Sequence, residues 1–188
     1  LGIVPNDDGD AGTTETLMVK TGYGVNVYGA FWDGAAATFG DGNGSYYPLS
    51  SAADVVAHEI SHSFTGVNSL LLTVDEPGAV NESFSDIAGE ALEYYWKGSN
   101  DWMLGADVVK TIGKAVRYLM NPKLDGKSST HKTQYVPNDF QPDGVTVKTY
   151  HQHLNAGIFN RAFYLIATLS GWNIEKAFKV FAAANQNY

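Results

Sequence analysis

The chain has 188 residues, no cysteine and a formal net charge of -8. That length suits one domain or two small lobes sharing a cleft, and the 44% hydrophobic content excludes compositional disorder. The acidic balance argues against nucleic acid as a partner, and the missing cysteines exclude disulfides and thiolate metal ligands.

No apolar run approaches the length of a membrane span, and no signal peptide opens at Leu1, so the chain reads as cytoplasmic or already processed. An extracellular protein without disulfides needs another staple, and calcium is one candidate. There are no internal repeats. Thr16 to Trp32 reads as extended, rich in aromatic and β-branched residues. Phe39 to Leu49, F-G-D-G-N-G-S-Y-Y-P-L, reads as a loop or hairpin. From Ala52 the pattern turns helical, with Val55, Val56, Ile60, Phe64 and Val67 at helical spacing. A second helix is expected over Pro77 to Trp96, with Pro77 in its first turn and Gly98 at its end. A third is expected over Ala106 to Leu119, stopped before Pro122. Thr130 to Thr149 reads mostly as loop, and two last helices cover Asn155 to Leu169 and Ile174 to Asn185. A β-rich start followed by helices predicts an α+β fold: a β-rich lobe over 1–66 ending in the first helix, and a mainly helical lobe over 67–188.

The chemistry concentrates in H-E-I-S-H, His58 to His62. Residues four apart share a helix face, so both imidazoles can reach one ion, while Glu59 points beside it, where a base acting on a metal-held water belongs. An open zinc site needs a third protein ligand. N-E-S-F-S-D follows at Asn81 to Asp86; Glu82 can return to the pair on an antiparallel helix, and Asp86, one turn on, can accept a ring N–H from His58 or His62. From the residues alone His131, His151 and His153 read as solvent-exposed. Asn43 and Asn81 each open an N-x-S pattern, and Asn81 is set aside because it precedes a metal ligand.

V-V-A-H-E-I-S-H and A-V-N-E-S-F-S-D resemble the thermolysin-like neutral metallopeptidases, the pseudolysin and vibriolysin branch above all. A-F-W-D-G at Ala30 to Gly34 resembles the substrate-binding edge strand of that family, F-G-D-G at Phe39 to Gly42 the loop after it, and H-L-N-A-G-I-F-N-R-A-F-Y-L from His153 the segment of its second catalytic histidine. The likeness covers about residues 18 to 188, a truncated version of the family chain. It implies a zincin-type fold with the zinc helix at the cleft, and a secreted zinc endopeptidase that cuts peptides or proteins before bulky apolar residues. By the resemblance His58, His62 and Glu82 bind zinc, Glu59 is the general base, and His153 steadies the oxyanion. Ala30 belongs to the substrate-binding strand, Arg117 contacts the substrate carbonyl, and Tyr46, Leu49, Val55, Leu104 and Val116 form the apolar pocket. Asp54, Glu90, Glu93, Asp101 and the Met103 carbonyl match the calcium ligands. A membrane is not implied as a partner; the remainder of the family fold is.

Three positions depart from the family pattern. Gly29 stands where the family has a substrate-binding asparagine, Thr73 where it has an oxyanion-holding tyrosine, and Lys148 and His151 where an aspartate orients the second histidine, a task open to Asp143. Two other readings stay open: a zinc-holding, catalytically weak peptide binder, and an aminopeptidase on the same helix motif.

Overall fold

The structure is a computed structural model that describes residues 18–140, 147–149 and 151–187. It is α+β, with strands before the first helix and a mainly helical carboxy-terminal part. Strands β1 (Met18–Lys20), β2 (Ala30–Trp32) and β3 (Ala36–Phe39) form a sheet in the order β1-β3-β2, with β1 parallel and β2 antiparallel to β3. Among the described residues of the expected extended stretch, only β1 and β2 are strands; Gly22, Gly24 and Asn26 between them take positive φ and turn the chain. The central strand β3 is fully buried, yet its Ala-Ala-Thr-Phe carries little β-branched signal, and composition did not reveal it. After Phe39 the chain is loop rather than hairpin, held by a bridge between Tyr46 and Val109.

Helices α1 (Ala53–Val67) and α2 (Asp75–Lys97) follow. Helix α2 opens with Asp75 and Glu76 and closes with Lys97, matching the helix dipole, and Gly98 ends it at φ 74° with its N–H on the Tyr94 carbonyl. The two helices run antiparallel, since His62 meets Asn81, His58 meets Asp86, and Asp54 meets Gly89. At that last crossing a Cβ on Gly89 would sit 2.7 Å from the Asp54 carbonyl oxygen, so glycine sets how closely the helices approach.

The expected helix over Ala106 to Leu119 does not form. Instead β4 (Met103–Leu104) pairs antiparallel with β5 (Arg117–Tyr118) around an irregular loop. Gly105 and Gly113 both take positive φ there, and the β-branched residues Val108, Val109, Ile112 and Val116 favour extended backbone. Their three-to-four spacing mimicked a helix face, yet Val108 is fully buried and Ile112 fully exposed. Beyond it, two residue pairs break the expected loop: β6 (Asp139–Phe140) joins β7 (Val147–Thr149). Helices α3 (Gln152–Ala167) and α4 (Ile174–Gln186) close the chain, with α3 starting three residues earlier than expected.

Three apolar clusters surround the α1–α2 pair, the smallest joining Phe64 and Phe84 to Ala182 of α4. Ala37, Phe39, Leu49, Ala52, Val55 and Val108 join the sheet to α1. Ile87, Leu104, Leu119, Phe163, Ala167, Ile174 and Ala177 join α2 to α3 and α4. Among the described residues no helix is long and apolar enough to cross a membrane.

Candidate active site

The antiparallel α1–α2 pair brings His58, His62 and Glu82 together. The two Nε2 atoms stand 3.2 Å apart, His58 Nε2 lies 3.4 Å from Glu82 Oε2, and His62 Nε2 lies 3.9 Å from Glu82 Oε1. Ligand atoms on a tetrahedral zinc at about 2.0–2.1 Å are spaced roughly 3.3 Å apart. The tautomers agree with that geometry. His58 Nδ1 faces Asp86 Oδ1 at 2.9 Å, and His62 Nδ1 bonds to Asn81 Oδ1 at 2.9 Å with the Ser85 hydroxyl at 3.2 Å. With the proton on Nδ1 of each ring, facing these oxygens, two Nε2 lone pairs and a buried carboxylate turn toward one point. Such a cluster needs a cation, and the donor set fits zinc. Burial would lower the His58 pKa, but the Asp86 and Glu82 carboxylates hold it up at about 10. Burial and the neighbouring His58 charge push His62 down to about 4.

Asp86 ties the site to the rest of the fold. It is fully buried, which alone would raise its pKa, but the Arg117 guanidinium holds it far below the usual carboxylate range. Arg117 Nε and Nη2 donate to its two oxygens at 2.7 and 2.6 Å, and Asn160 Nδ2 from α3 donates at 2.7 Å. Asn160 is held in turn by the Ser83 hydroxyl at 2.6 Å. Sequence assigned no role to Ser85 or Asn160, although each stands inside a motif, and noted Asn81 only for its N-x-S pattern.

Glu59 is buried beside the metal-type cluster, and burial raises its pKa. It lines a cavity of about 240 Å³ together with His58, His153, Arg117, Ala30, Tyr46, Leu49, Val55, Leu104 and Val116. Every residue expected to meet substrate therefore faces one space. Tyr28 and Gly29 line it too. His153, near the start of α3, is half-exposed, with Nε2 3.1 Å from Glu82 Oε2. His151 is half-buried rather than exposed: it caps α3, and its backbone N–H donates to Asn138 Oδ1 at 2.8 Å. Thr73 is exposed in the turn before α2. Asp143 lies outside the described residues, as does the Lys148 side chain.

A second acidic cluster lies farther along α2. Glu90, Glu93 and Asp101 each offer a carboxylate oxygen within 4.8 Å of the others. Glu90 Oε2 accepts from Asn100 Nδ2 at 2.6 Å and from the Trp102 N–H at 3.0 Å, while its buried Oε1 has no partner. Burial, with Asp101, Glu93 and Asp54 near, pushes Glu90 up to about 8. Lys97 Nζ lies 2.7 Å from Glu93 Oε1. Asp54 is occupied by the Gly105 and Val55 N–H groups, and the Met103 carbonyl accepts from the Ala106 N–H at 3.2 Å. An orphaned carboxylate oxygen among like charges fits a hard, oxygen-loving cation.

Comparison with known proteins gives consistent matches. The family model for the thermolysin metallopeptidase catalytic domain matches residues 6–66, and that for its alpha-helical domain matches residues 69–188. The "Hemagglutinin/proteinase" of Vibrio cholerae serotype O1 is 49% identical over 93% of the chain, and the "Neutral protease" of Vibrio proteolyticus is 46% identical over 93%. The chain spans 27% of each of these relatives. The solved precursor of protealysin, a metalloproteinase from Serratia proteamaculans, superposes with a TM-score of 0.76 at 30% identity, over 91% of this chain and 56% of that one.

Proposed function

The chain belongs to the thermolysin metallopeptidase family, and from that premise we propose that it is a zinc-dependent endopeptidase of the zincin type, with α1 as the zinc helix at the cleft. The observation that carries the reading is the convergence of the His58 and His62 Nε2 lone pairs and the Glu82 carboxylate beside a cavity lined by Glu59. His58, His62 and Glu82 hold the zinc. A zinc there supplies Lewis acidity to the scissile carbonyl and to a water.

The chain's own residues do the rest. Glu59, its pKa raised by burial, takes a proton from the water and returns it to the leaving amine. His153 and Arg117 face the same space and meet the charge that develops on the carbonyl oxygen. Ala30 pairs with substrate backbone, and Tyr46, Leu49, Val55, Leu104 and Val116 receive the side chain after the scissile bond, which favours bulky apolar residues. Asp86 orients His58 and Arg117 at once. Glu90, Glu93 and Asp101, with Asp54 and the Met103 carbonyl nearby, form a calcium site that staples the helices. The lobes divide as 1–66 and 67–188, and the chain works outside the cell on peptides or proteins.

Digestion of a long peptide by the zinc-loaded chain tests this, with products read by mass spectrometry. The expected result is internal cutting before bulky apolar residues, lost on chelation and restored by zinc. Stepwise release of single residues would instead indicate an aminopeptidase. Peptide binding without turnover would indicate that Gly29, Thr73 and the missing orienting carboxylate have disabled the catalyst.

A further inference from the structure

We propose that Asn138 is a positioning residue that holds His153 toward the cavity. This rests on the endopeptidase reading and names a further residue on which its catalysis depends. Among the described residues the one polar contact of the His153 ring is Glu82 Oε2 at 3.1 Å, and half of the side chain is exposed. The place of the ring is therefore set by the helical turn that carries it. That turn is the first of α3, and the side chain of its own first residue, His151, does not cap it.

Asn138 supplies the hold. Its Oδ1 accepts the His151 N–H at 2.8 Å, two residues before His153. An N–H at a helix start has no partner within the helix, so this bond fixes where the turn begins. Asn138 is itself tethered to α2, since its backbone N–H donates to Asp75 Oδ1 at 3.0 Å. Asp75 takes φ 51°, a left-handed backbone that is costly for a residue with a Cβ and persists where its surroundings fix it. Asn138 is buried, and among the described residues no acceptor meets its Nδ2. A buried amide with an idle N–H is unfavourable, so the oxygen is the atom that accounts for asparagine there.

The residues after His153 are held separately. The Ser129 N–H donates to the Leu154 carbonyl at 2.9 Å. The buried Asn155 amide clasps Val136, accepting its N–H at 3.0 Å and donating to its carbonyl at 2.7 Å. A Cβ on Gly157 would lie 2.5 Å from the Ser129 oxygen, and one on Gly78 would lie 3.3 Å from the Gln152 Cβ, so α3 is pressed against this segment and against α2. Loss of the His151 bond should then loosen the end of the turn that carries His153 and leave the rest of α3 in place.

The test compares Asn138→Leu, which keeps the volume and removes the acceptor, with Asn138→Asp, which keeps the acceptor at a helix start that favours negative charge. In peptide cleavage by the zinc-loaded chain, Asn138→Leu should lower kcat about 10- to 100-fold, with KM and zinc affinity within about twofold, and Asn138→Asp should keep kcat within about threefold of wild type. In a His153→Ala background the leucine substitution should cost nothing further, because the two residues act as one unit. Additive losses, or an unchanged kcat in Asn138→Leu, would overturn the proposal. Amide hydrogen exchange reads the hold without turnover: the His151 amide should exchange about five- to tenfold faster in Asn138→Leu but not in Asn138→Asp, and an unchanged rate would also overturn it. Should leucine prevent folding, Asn138→Ala repeats both measurements. If the wild-type chain cuts no peptide, the endopeptidase reading fails, and hydrogen exchange still decides whether Asn138 holds the turn.

Discussion

Asp86 shows how much one side chain can carry. It is fully buried, receives Arg117, Asn160 and His58, and so joins α2 to β5, α3 and α1. Removing one partner of a buried pair strands the other charge. Asp86→Ala should therefore lower unfolding free energy by about 3–5 kcal/mol in denaturant titrations. It should also weaken zinc binding about 10- to 100-fold, because His58 loses the group that fixes its tautomer. Equal zinc affinity in the variant would show that Asp86 does not orient the ligand. Glu90 gives a pH prediction. Its folded pKa of about 8 lies above the ordinary 4.5, so between those values the folded chain keeps a proton that the unfolded chain releases. Without calcium, stability should fall as pH rises across that range. Thermal melting of wild type against Glu90→Gln isolates this contribution: the wild-type slope should be the more negative, and calcium should abolish the difference. Identical slopes without calcium would contradict it.

At the scale of elements, the site depends on how α1 and α2 cross. Gly89 lets α2 approach the start of α1, and Leu104 also lies within 3.0 Å of a Cβ built there. Gly89→Ala should cost about 1–3 kcal/mol by overpacking and weaken zinc binding, since the ligands come from both helices; unchanged melting would show that the crossing has slack. These elements were legible in the sequence to very different degrees. Helix α1 announced itself by its apolar period, α2 by Pro77 in its first turn and Gly98 at its end, and the zinc-type cluster by two motifs on facing helices. The run from Ala106 to Leu119 misled because its apolar spacing matches a helix while two positive-φ glycines and a fully exposed Ile112 belong to a loop. Strand β3 was invisible because Ala36 and Ala37 carry little strand signal. Tyr28 and Asn160 reach the site by tertiary contact alone, and single-sequence patterns do not encode that.

For the whole molecule, both proposed ion sites lie along α2. His58 and His62 on α1 face Glu82 on α2, and Glu90 and Glu93 lie on α2 where Asp54 at the start of α1 adds its charge. Ions that bind only the folded chain stabilise it by mass action. Chelation should lower the melting temperature by several degrees, with zinc and calcium each restoring a separate part; restoration by either alone in full would mean one site, not two.

In the proposed mechanism His58, His62 and Glu82 hold zinc while Glu59 moves the proton. It is tested most directly by measuring zinc content and peptide cleavage side by side for the wild-type chain and Glu59→Gln. One zinc is expected in both proteins, with cleavage in the wild type and a loss of at least about 100-fold in the variant. Cleavage that survives in zinc-loaded Glu59→Gln, or a folded wild-type chain that takes up no zinc, would contradict it.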